Sequence, residues 1–438
     1  MTAKTLEAKI RDRSARIAVI GMGYVGLPLA AEFGRAGFRV DGIDLDPRKV
    51  RDLKAGRSYI ADVTSTEVAR LVNSGKLSGT GEFDVIRKVD CVIICVPTPL
   101  RKTRDPDISY IVTALEEVAR RLHKGMLVIL ESTTYPGTTE EIMLPRLAET
   151  GLKVGADFFL AFSPERVDPG NRLWKTRNTP KVVGGITRSC VRIASRLYGE
   201  VVETVVPVSS ARAAEMIKLL ENTFRSVNIA LVNEIALICD RLNLEVWEII
   251  DGAATKPFGF MPFYPGPGLG GHCLPVDPHY LSWKLRSLDY QARFIALAAE
   301  VNGAMPDYVL SRIVDALNRQ RKSVSGSRVL MLGVAYKKDT SDTRESPALD
   351  IMRLLRQRRA KVDYHDRFVP ALPPGPAGPA CRSVPLTTAR LRRYDCAVIV
   401  TDHGGIDYQM VVDFSRAVVD TRNATRSVRK GREKVTKL

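Results

Sequence analysis

The chain has 438 residues, 45% of them hydrophobic and 26% charged, a balance that excludes a disordered, collagenous or disulfide-stapled protein and leaves room for two or three globular domains. No apolar run approaches the roughly 18 residues that a membrane-spanning helix needs. The net charge is +17, but residues 1–16 carry five Lys/Arg against two acids and residues 422–438 carry seven against one. Much of the excess is therefore expected in two solvated, mobile ends rather than on a nucleic-acid-binding face, an acidic substrate or anionic surface being the other reading.

The N-terminal sixteen residues lack the apolar core of a signal peptide, so a cytoplasmic protein is expected. Arg16–Ile20 (RIAVI) is a short apolar strand that runs straight into Gly21-Met-Gly23-Tyr24-Val25-Gly26. In that turn the first glycine permits the tight bend, the second lets a pyrophosphate approach the backbone, and the third lets helix and strand pack closely. The helix that follows offers its unpaired N–H groups to the anion. Phe38–Ile43 is the next strand, and Asp44 at its end is placed to hold an adenosine ribose 2′-OH and to repel a 2′-phosphate. A dinucleotide site is expected, with NAD favoured over NADP; Arg48 and Lys49 nearby blunt the preference slightly.

Further strands are expected at Cys91–Val96, Met126–Leu130 and Asp157–Phe162, with helical patterns between them such as Ser109–Leu122. This alternation implies a parallel sheet covered by helices on both faces. The pattern changes near Val208. Ser209–Arg241 has helical periodicity and no internal Gly or Pro, with apolar Met216, Leu219, Leu220 and Phe224 at three- and four-residue steps. About 33 residues would span about 50 Å, the length of a helix that joins domains and supplies a subunit interface. Lys218 and Asn222 share a face of it.

A Gly/Pro-rich loop follows over Pro257–Pro278. Alternation then restarts with strand Arg328–Leu332, helix Pro347–Arg358, strand Lys361–His365 and strand Asp395–Val400. This second, smaller α/β domain lacks the three-glycine fingerprint, so a different ligand is expected there, and its fold can echo the first. Pro370–Pro385, with six prolines, reads as a loop.

The seven cysteines are Cys91, Cys95, Cys190, Cys239, Cys273, Cys381 and Cys396; none form a CxxC pair, and thiols rather than disulfides are expected. Most lie in apolar runs. Cys273 instead follows Gly266, Gly268, Gly270 and Gly271, which let backbone and thiol approach a ligand closely, and precedes Pro275 and Pro278, which suit a first helical turn. A thiol beside a helix N-terminus becomes a nucleophile. Asp277, four residues on, could face it, whereas His272 is adjacent in sequence and poorly placed as a base for a Cys–His hydrolase. A buried structural cysteine is the bland alternative. The five histidines offer no close ligand pair except His272 and His279, so no metal is expected.

The ordered set GMGYVGLPLA, CVPTP, STTYPGT, SPER, AEMIKLLENTFRSVNIALVNE, GPGLGGHCLPVDP and LGVAYKKDTSDTRESPA resembles the nucleotide-sugar 6-dehydrogenase family, the UDP-glucose/GDP-mannose dehydrogenases, over nearly the whole chain. The resemblance implies an α/β fold of two Rossmann-like doubly wound domains joined by a long central helix and a helical dimerisation domain. On this chain that means an NAD-binding domain at 1–207, a central domain at 208–318 and a UDP-binding domain at 319–438. It implies a homodimer or higher oligomer, a UDP-sugar substrate, and no specific nucleic-acid or membrane partner. The implied reaction is a four-electron oxidation of a sugar C6 alcohol to a carboxylate with two NAD in succession.

By the same resemblance Cys273 attacks the aldehyde, and Lys218 with Asn222 stabilises the oxyanion. Asp277 and Glu165 manage protons and the hydrolytic water, and Thr133 positions a water. NAD is implied to meet Gly21, Gly23, Tyr24, Val25, Gly26, Asp44, Lys49, Thr98 and Arg344. The substrate is implied to meet Glu165, Arg166, Lys218, Asn222, Tyr264, Gly268, Gly270 and Lys337. The run PFGFMPFYPGPGLGGHCLPVDP resembles the branch acting on UDP-N-acetylhexosamines, the UDP-N-acetylglucosamine 6-dehydrogenases in particular, which feed surface polysaccharide synthesis. The glucose branch carries an acid where Pro169 stands and a smaller or different residue where His272 stands. His272 or Arg225 is the candidate reader of an acetamido group. UDP-glucose and UDP-N-acetylmannosamine remain alternative substrates, and an NAD-binding sensor without catalysis is the alternative of another class.

Overall fold

The structure is a computed structural model and describes residues 2–60, 62–101, 105–168, 171, 173–271 and 273–438. It divides into two compact units: Met1–Glu221 with His279–Tyr290, and Asn222–Pro278 with Gln291–Leu438. Among the described residues no helix is long and apolar enough to cross a membrane.

The first unit is built on eight strands, β1 (Arg16–Ile20), β2 (Arg39–Ile43), β3 (Leu77–Thr80), β4 (Cys91–Ile94), β5 (Leu127–Leu130), β6 (Phe159–Phe162), β7 (Lys181–Gly185) and β8 (Val205–Pro207). They pair in the order β3-β2-β1-β4-β5-β6-β7-β8. The first six follow the strand order of a dinucleotide-binding sheet. Side chains alternate across it. Ile17, Val19, Ile93 and Ile129 join Leu27, Phe33 and Leu197 on one side. Ala18, Ile20, Ile94 and Leu130 join Ile111, Leu115 and Met143 on the other. Both faces are covered, so the central strands β4, β5 and β6 are unbroken apolar runs, whereas β2 and β3 toward the edge carry Asp41 and Ser78; burying each large side chain contributes about 1.5–3 kcal/mol.

The sheet is not wholly parallel as the alternation predicts: β7 runs antiparallel to β6. Among the described residues between Phe162 and Lys181 there is no crossover helix, and the chain returns in the opposite sense.

The second unit's sheet comprises β9 (Arg328–Leu332), β10 (Lys361–His365), β13 (Cys396–Ile399), β14 (Val418–Asp420) and β15 (Val435–Lys437), while β11 (Ala371–Leu372) and β12 (Cys381–Arg382) form a separate small ribbon. The main order is β10-β9-β13-β14-β15, parallel throughout. Three expectations are corrected here. In the first unit the basic stretch 1–16 is no mobile end: it holds the helix Ala3–Arg11, whose Leu6 and Ile10 are buried in the core and whose Lys9 pairs with Asp90 at 2.7 Å. The proline-rich stretch 370–385 holds the β11–β12 ribbon instead of being all loop. The basic stretch 422–438 is no solvated tail: Val435, Thr436 and Lys437 extend the sheet beside β14, Lys437 pairs with Glu245 at 2.8 Å, and Leu438 joins the apolar core. The apolar and β-branched residues among its charges decide this, because pairing and burial outweigh the loss of hydration of a few stems.

Of the helices, Ala211–Leu242 is the long one, 32 residues against the expected Ser209–Arg241. Arg293–Asn318 was not legible because Pro306 lies inside it. A proline removes one backbone donor, but Pro306 is buried beside Met305 and Val309, and that packing offsets the missing bond.

The two sheets do echo each other at their first crossover. Gly21 (φ +93°) donates to Ile43 O at 2.8 Å, and Gly333 (φ +83°) donates to His365 O at 2.9 Å. Asp44 accepts from Met22 N at 2.9 Å, and Asp366 accepts from Val334 N at 2.8 Å. Asp366 is sealed in: its other oxygen accepts Phe368 N and Val369 N, and His403 Nε2 lies 3.0 Å away. His403 Nδ1 accepts Asp339 N, so the network places the ring proton on Nε2, toward Asp366. Against the opposing effect of burial, the His403 bond and the Val334 N–H hold Asp366 down at about 2.

Candidate active site

In the first unit, the glycine turn is shaped by close approach. A Cβ on Gly21 would lie 2.6 Å from Cys95 O, and one on Gly26 would lie 1.9 Å from Gly21 O. At Gly23 nothing lies within 4 Å. The turn thus has one open glycine, which a side chain would fill and a pyrophosphate can approach, at the start of the helix Gly26–Arg35. Tyr24 is exposed beside it, Val25 caps the helix through its backbone position, and Thr98 is buried in the CVPTP segment. Asp44 accepts from Asp46 N and from Lys49 Nζ, both at 2.9 Å, while Arg48 pairs with Asp46 at 3.0 Å. Both cations that could have courted a 2′-phosphate are therefore neutralised by carboxylates. The cradle and the acid fit a dinucleotide with an unphosphorylated ribose.

Behind this turn lies a buried charged group that motif reading did not single out. Glu131 follows β5 and Lys181 opens β7; the Lys181 ammonium is ion-paired with one Glu131 oxygen, and Tyr198 Oη donates to the other at 2.6 Å. Lys181 also lies 3.5 Å from Glu165 Oε2. Glu165 Oε1 accepts Arg166 N at 2.7 Å and Val167 N at 2.6 Å. Burial pushes Glu131 up to about 7 despite its partners. For Glu165 burial is outweighed by Lys181 and the Val167 N–H, which hold it below the usual carboxylate range. The available signal was a charge set directly against an apolar strand at both Glu131 and Lys181, but each alone reads as a strand end.

Lys218 donates from Nζ to the backbone oxygen of Glu165 at 2.6 Å. Arg166 reaches Pro180 O and Glu221, both at 2.7 Å. Thr133 is half-buried in the segment after Glu131. Three residues before Lys218, the fully buried Glu215 accepts from Gly137 N, Thr139 N and Thr139 Oγ1 at 2.6, 2.9 and 2.7 Å. It ties the loop that carries Thr133 to the long helix. Thr139–Met143 is wound as a π-turn, a widening that recurs at functional sites.

In the second unit, Asn222 donates from Nδ2 to Asp277 Oδ2, and both side chains are buried. Asp277 opens the helix Asp277–Arg286, and its N–H donates back to Cys273 O at 2.8 Å. Cys273 is exposed, whereas five other cysteines are buried and Cys381 is intermediate. His272 and Pro169 lie outside the described residues.

The glycines before Cys273 were expected to let a ligand approach. The close approach observed is to protein: a Cβ on Gly270 would lie 2.7 Å from Tyr336 Cβ, one on Gly271 2.8 Å from the Tyr336 ring, and one on Gly266 2.5 Å from an Arg422 nitrogen. Gly268, at φ +127°, faces Pro347. Gly271 N donates to Arg344 O at 3.1 Å, so the loop is clamped onto the segment holding Tyr336, Lys337 and Arg344. The guanidinium of Arg344 pairs with Asp342 at 2.6 Å, and Lys337 O accepts Thr340 Oγ1 at 3.0 Å. Tyr264 stacks on Trp247 (centroids 5.7 Å apart, 14° between planes) and donates to Asp251 at 2.8 Å. Arg225 is exposed on the long helix. Among the described residues no group of three or more His, Cys, Asp or Glu is placed to hold a metal.

Three family models match the chain in order: the UDP-glucose/GDP-mannose dehydrogenase family NAD-binding domain over residues 15–202, its central domain over 212–304 and its UDP-binding domain over 330–427. A UDP-N-acetyl-D-glucosamine 6-dehydrogenase of Pseudomonas aeruginosa is 38% identical over 82% of this chain and 84% of its own. An NDP-N-acetyl-D-galactosaminuronic acid dehydrogenase of Ralstonia nicotianae is 36% identical over 93% and 95%. The structure of a UDP-D-ManNAc dehydrogenase from Pyrococcus horikoshii superposes with a TM-score of 0.85 at 34% identity, covering 93% of this chain and 96% of that one.

Proposed function

Because the chain belongs to the UDP-glucose/GDP-mannose dehydrogenase family and is thereby an NAD-dependent UDP-sugar dehydrogenase, we propose that it oxidises the C6 alcohol of UDP-N-acetyl-D-glucosamine to the uronic acid, for surface polysaccharide synthesis. The observation that carries the chemistry is Cys273: the exposed thiol, on a clamped glycine loop, one turn before a helix whose first residue is a buried carboxylate. The choice of sugar rests on the similarity to the Pseudomonas protein and on the sequence of the Pro257–Pro278 loop.

Bound NAD supplies a hydride acceptor and is used twice per sugar. This chain's residues do the rest. Cys273, as thiolate, adds to the C6 aldehyde and forms a C–S bond, the carbonyl electron pair moving to oxygen. The Lys218 ammonium, one of whose protons is committed to Glu165 O, stabilises that oxyanion, with Asn222 assisting. After the second oxidation the sugar is a thioester. A water positioned by Thr133 attacks it, Glu165 accepts the water's proton, and the Cys273 thiolate leaves. Asp277, fixed by Asn222, manages the proton of the thiol. Arg166 and Tyr264, with Gly268, Gly270 and Lys337, shape the substrate's surroundings, and Arg344 is assigned to NAD.

A homodimer is part of the same reading. Leu220, Phe224, Leu231, Ile238 and Leu242 form an exposed apolar stripe down the long helix at seven- and four-residue steps, which a second copy would cover. The test of function is the NADH formed per UDP-N-acetylglucosamine consumed, in wild type and Cys273→Ala. Two NADH per sugar and no turnover in the variant are expected. Turnover of UDP-glucose or UDP-N-acetylmannosamine in place of this sugar would overturn the substrate, and silence with all three the enzyme.

A further inference from the structure

We infer that Lys181 and Glu131 are positioning residues for the oxidation: Lys181 holds Glu165 ionised, and Glu131 takes the proton that two carboxylates sharing one ammonium cannot both do without. This rests on the reading of Glu165 as the base for thioester hydrolysis.

The argument begins with charge. Lys181 Nζ lies against Glu131 and 3.5 Å from Glu165, so two carboxylates compete for one cation in a place nearly closed to water. A buried triad of this kind contributes little to stability, since desolvation cancels most of the attraction, and a perturbed carboxylate pair of this kind points to chemistry. Two carboxylates around one ammonium leave a net negative charge that one proton neutralises. Burial decides which oxygen holds it. The Glu131 side chain is 0% exposed and Glu165 is 16% exposed. Glu165 also accepts from two backbone N–H groups, at Arg166 and Val167, which bind a carboxylate more strongly than a neutral carboxyl. Glu131 has Tyr198, whose hydroxyl can accept a proton's hydrogen bond as well as donate one.

The directions found for the two acids, Glu131 up to about 7 and Glu165 lowered, agree with this division. The charged and titratable groups facing the pair come from five elements: Cys95 after β4, Glu131 after β5, Lys181 on β7, Tyr198 on the helix Arg188–Tyr198 that follows β7, and Lys218 on the long helix. Cys95 is pushed well up by burial and stays a neutral thiol beside the triad. Lys218 adds a second positive charge on the side of the Glu165 backbone oxygen, which favours the same ionised state.

The experiment follows kcat against pH with UDP-N-acetylglucosamine and NAD, together with the mass of the acid-quenched protein, which reports acyl-Cys273. Lys181→Met is expected to move the acid limb of kcat up by about one to two pH units and to accumulate acyl-enzyme below it, while Lys181→Arg returns the limb. Glu131→Gln, which removes the competitor for Lys181, is expected not to raise the limb. A loss of activity in Lys181→Met with the limb unmoved would overturn the proposal, as would an upward shift in Glu131→Gln. If Lys181→Met does not fold, infrared difference spectra at about pH 6 carry the test: the proposal requires a protonated-carboxyl C=O band that Glu131→Gln loses, and no loss overturns it. Glu165→Gln separates the two levels. Hydrolysis unaffected by that change would overturn the underlying reading, whereas acyl-enzyme accumulation there with an unmoved limb in Lys181→Met would overturn only the role of Lys181.

Discussion

The side-chain amide of Asn222, on the long helix, donates to the carboxylate of Asp277, at the first residue of the helix after Cys273, and both groups are buried. Fifty-five residues separate them in sequence. Removing one partner leaves the other desolvated and short of a hydrogen bond, at a cost of about 1–3 kcal/mol. Asn222→Ala is therefore expected to lower the thermal midpoint and to reduce kcat/KM by at least about tenfold. Asn222→Asp, which sets two carboxylates together, is expected to be worse on both counts. Calorimetry beside NADH kinetics measures both effects.

The glycine turn makes a sharper contrast between fold and cofactor. Gly21→Ala drives a methyl into Cys95 O at a φ of +93° and is expected to destabilise the unit by about 1–3 kcal/mol or more. Gly23→Val meets open space, so stability should hold while NAD affinity falls about tenfold or more. Chemical denaturation and NAD titration by calorimetry distinguish the two sites of damage.

Asp44 and Lys49 form one unit, and breaking it should redirect cofactor choice. Asp44→Ser leaves the Lys49 ammonium without its 2.9 Å carboxylate partner. KM for NAD is expected to rise about tenfold while activity with NADP rises relative to wild type. Unchanged discrimination would place the 2′-OH elsewhere.

Glu215 gives stability a pH dependence. Burial raises it to about 7 from an ordinary 4.5, in spite of three donors from Thr139 and Gly137. An acid whose folded pKa is raised stabilises the fold when protonated. That contribution is complete below about pH 4.5 and is lost as pH rises through about 7; it is worth on the order of 3 kcal/mol. Glu215→Gln should flatten the fall in thermal midpoint across this window, relative to wild type. Glu131 contributes with the same sign, so some slope should survive.

The apolar stripe predicts its own disruption. Leu220→Glu combined with Leu231→Glu places charges on the exposed face without touching the buried side of the helix or the Phe224–Phe263 ring contact. Sedimentation is expected to shift from dimer to monomer with the circular dichroism unchanged.

What could be read from the sequence was what is local. β1 and β9 are legible as apolar runs because strands covered on both faces are apolar nearly throughout, and β10, at the sheet edge, as an alternation of buried Val362 and Tyr364 with Lys361, Asp363 and His365. The turn at Gly21, the long helix and the Cys273 loop were legible for the same reason, each being one contiguous stretch. Partnerships across the chain were not. Glu131 and Lys181 stand 50 residues apart, and each alone looks like a polar strand end. Glu215 reads as the polar side of an amphipathic helix until Gly137 and Thr139 are brought to it. The basic stretch near residue 438 looked like a tail because its charges outnumber the three residues that extend the sheet.

The paired aspartates at the two first crossovers lead to a statement about ancestry. If the sheets descend from one duplicated module, the acid that greets a nucleotide in one copy has been recruited in the other as masonry: Asp366 holds four backbone amides and a histidine in place. Reversion is then blocked by more than the loss of glycines. Any descendant regaining a ribose contact at Asp366 would first have to dismantle the anchorage of its own loops, so the division of labour between the two modules works as a ratchet.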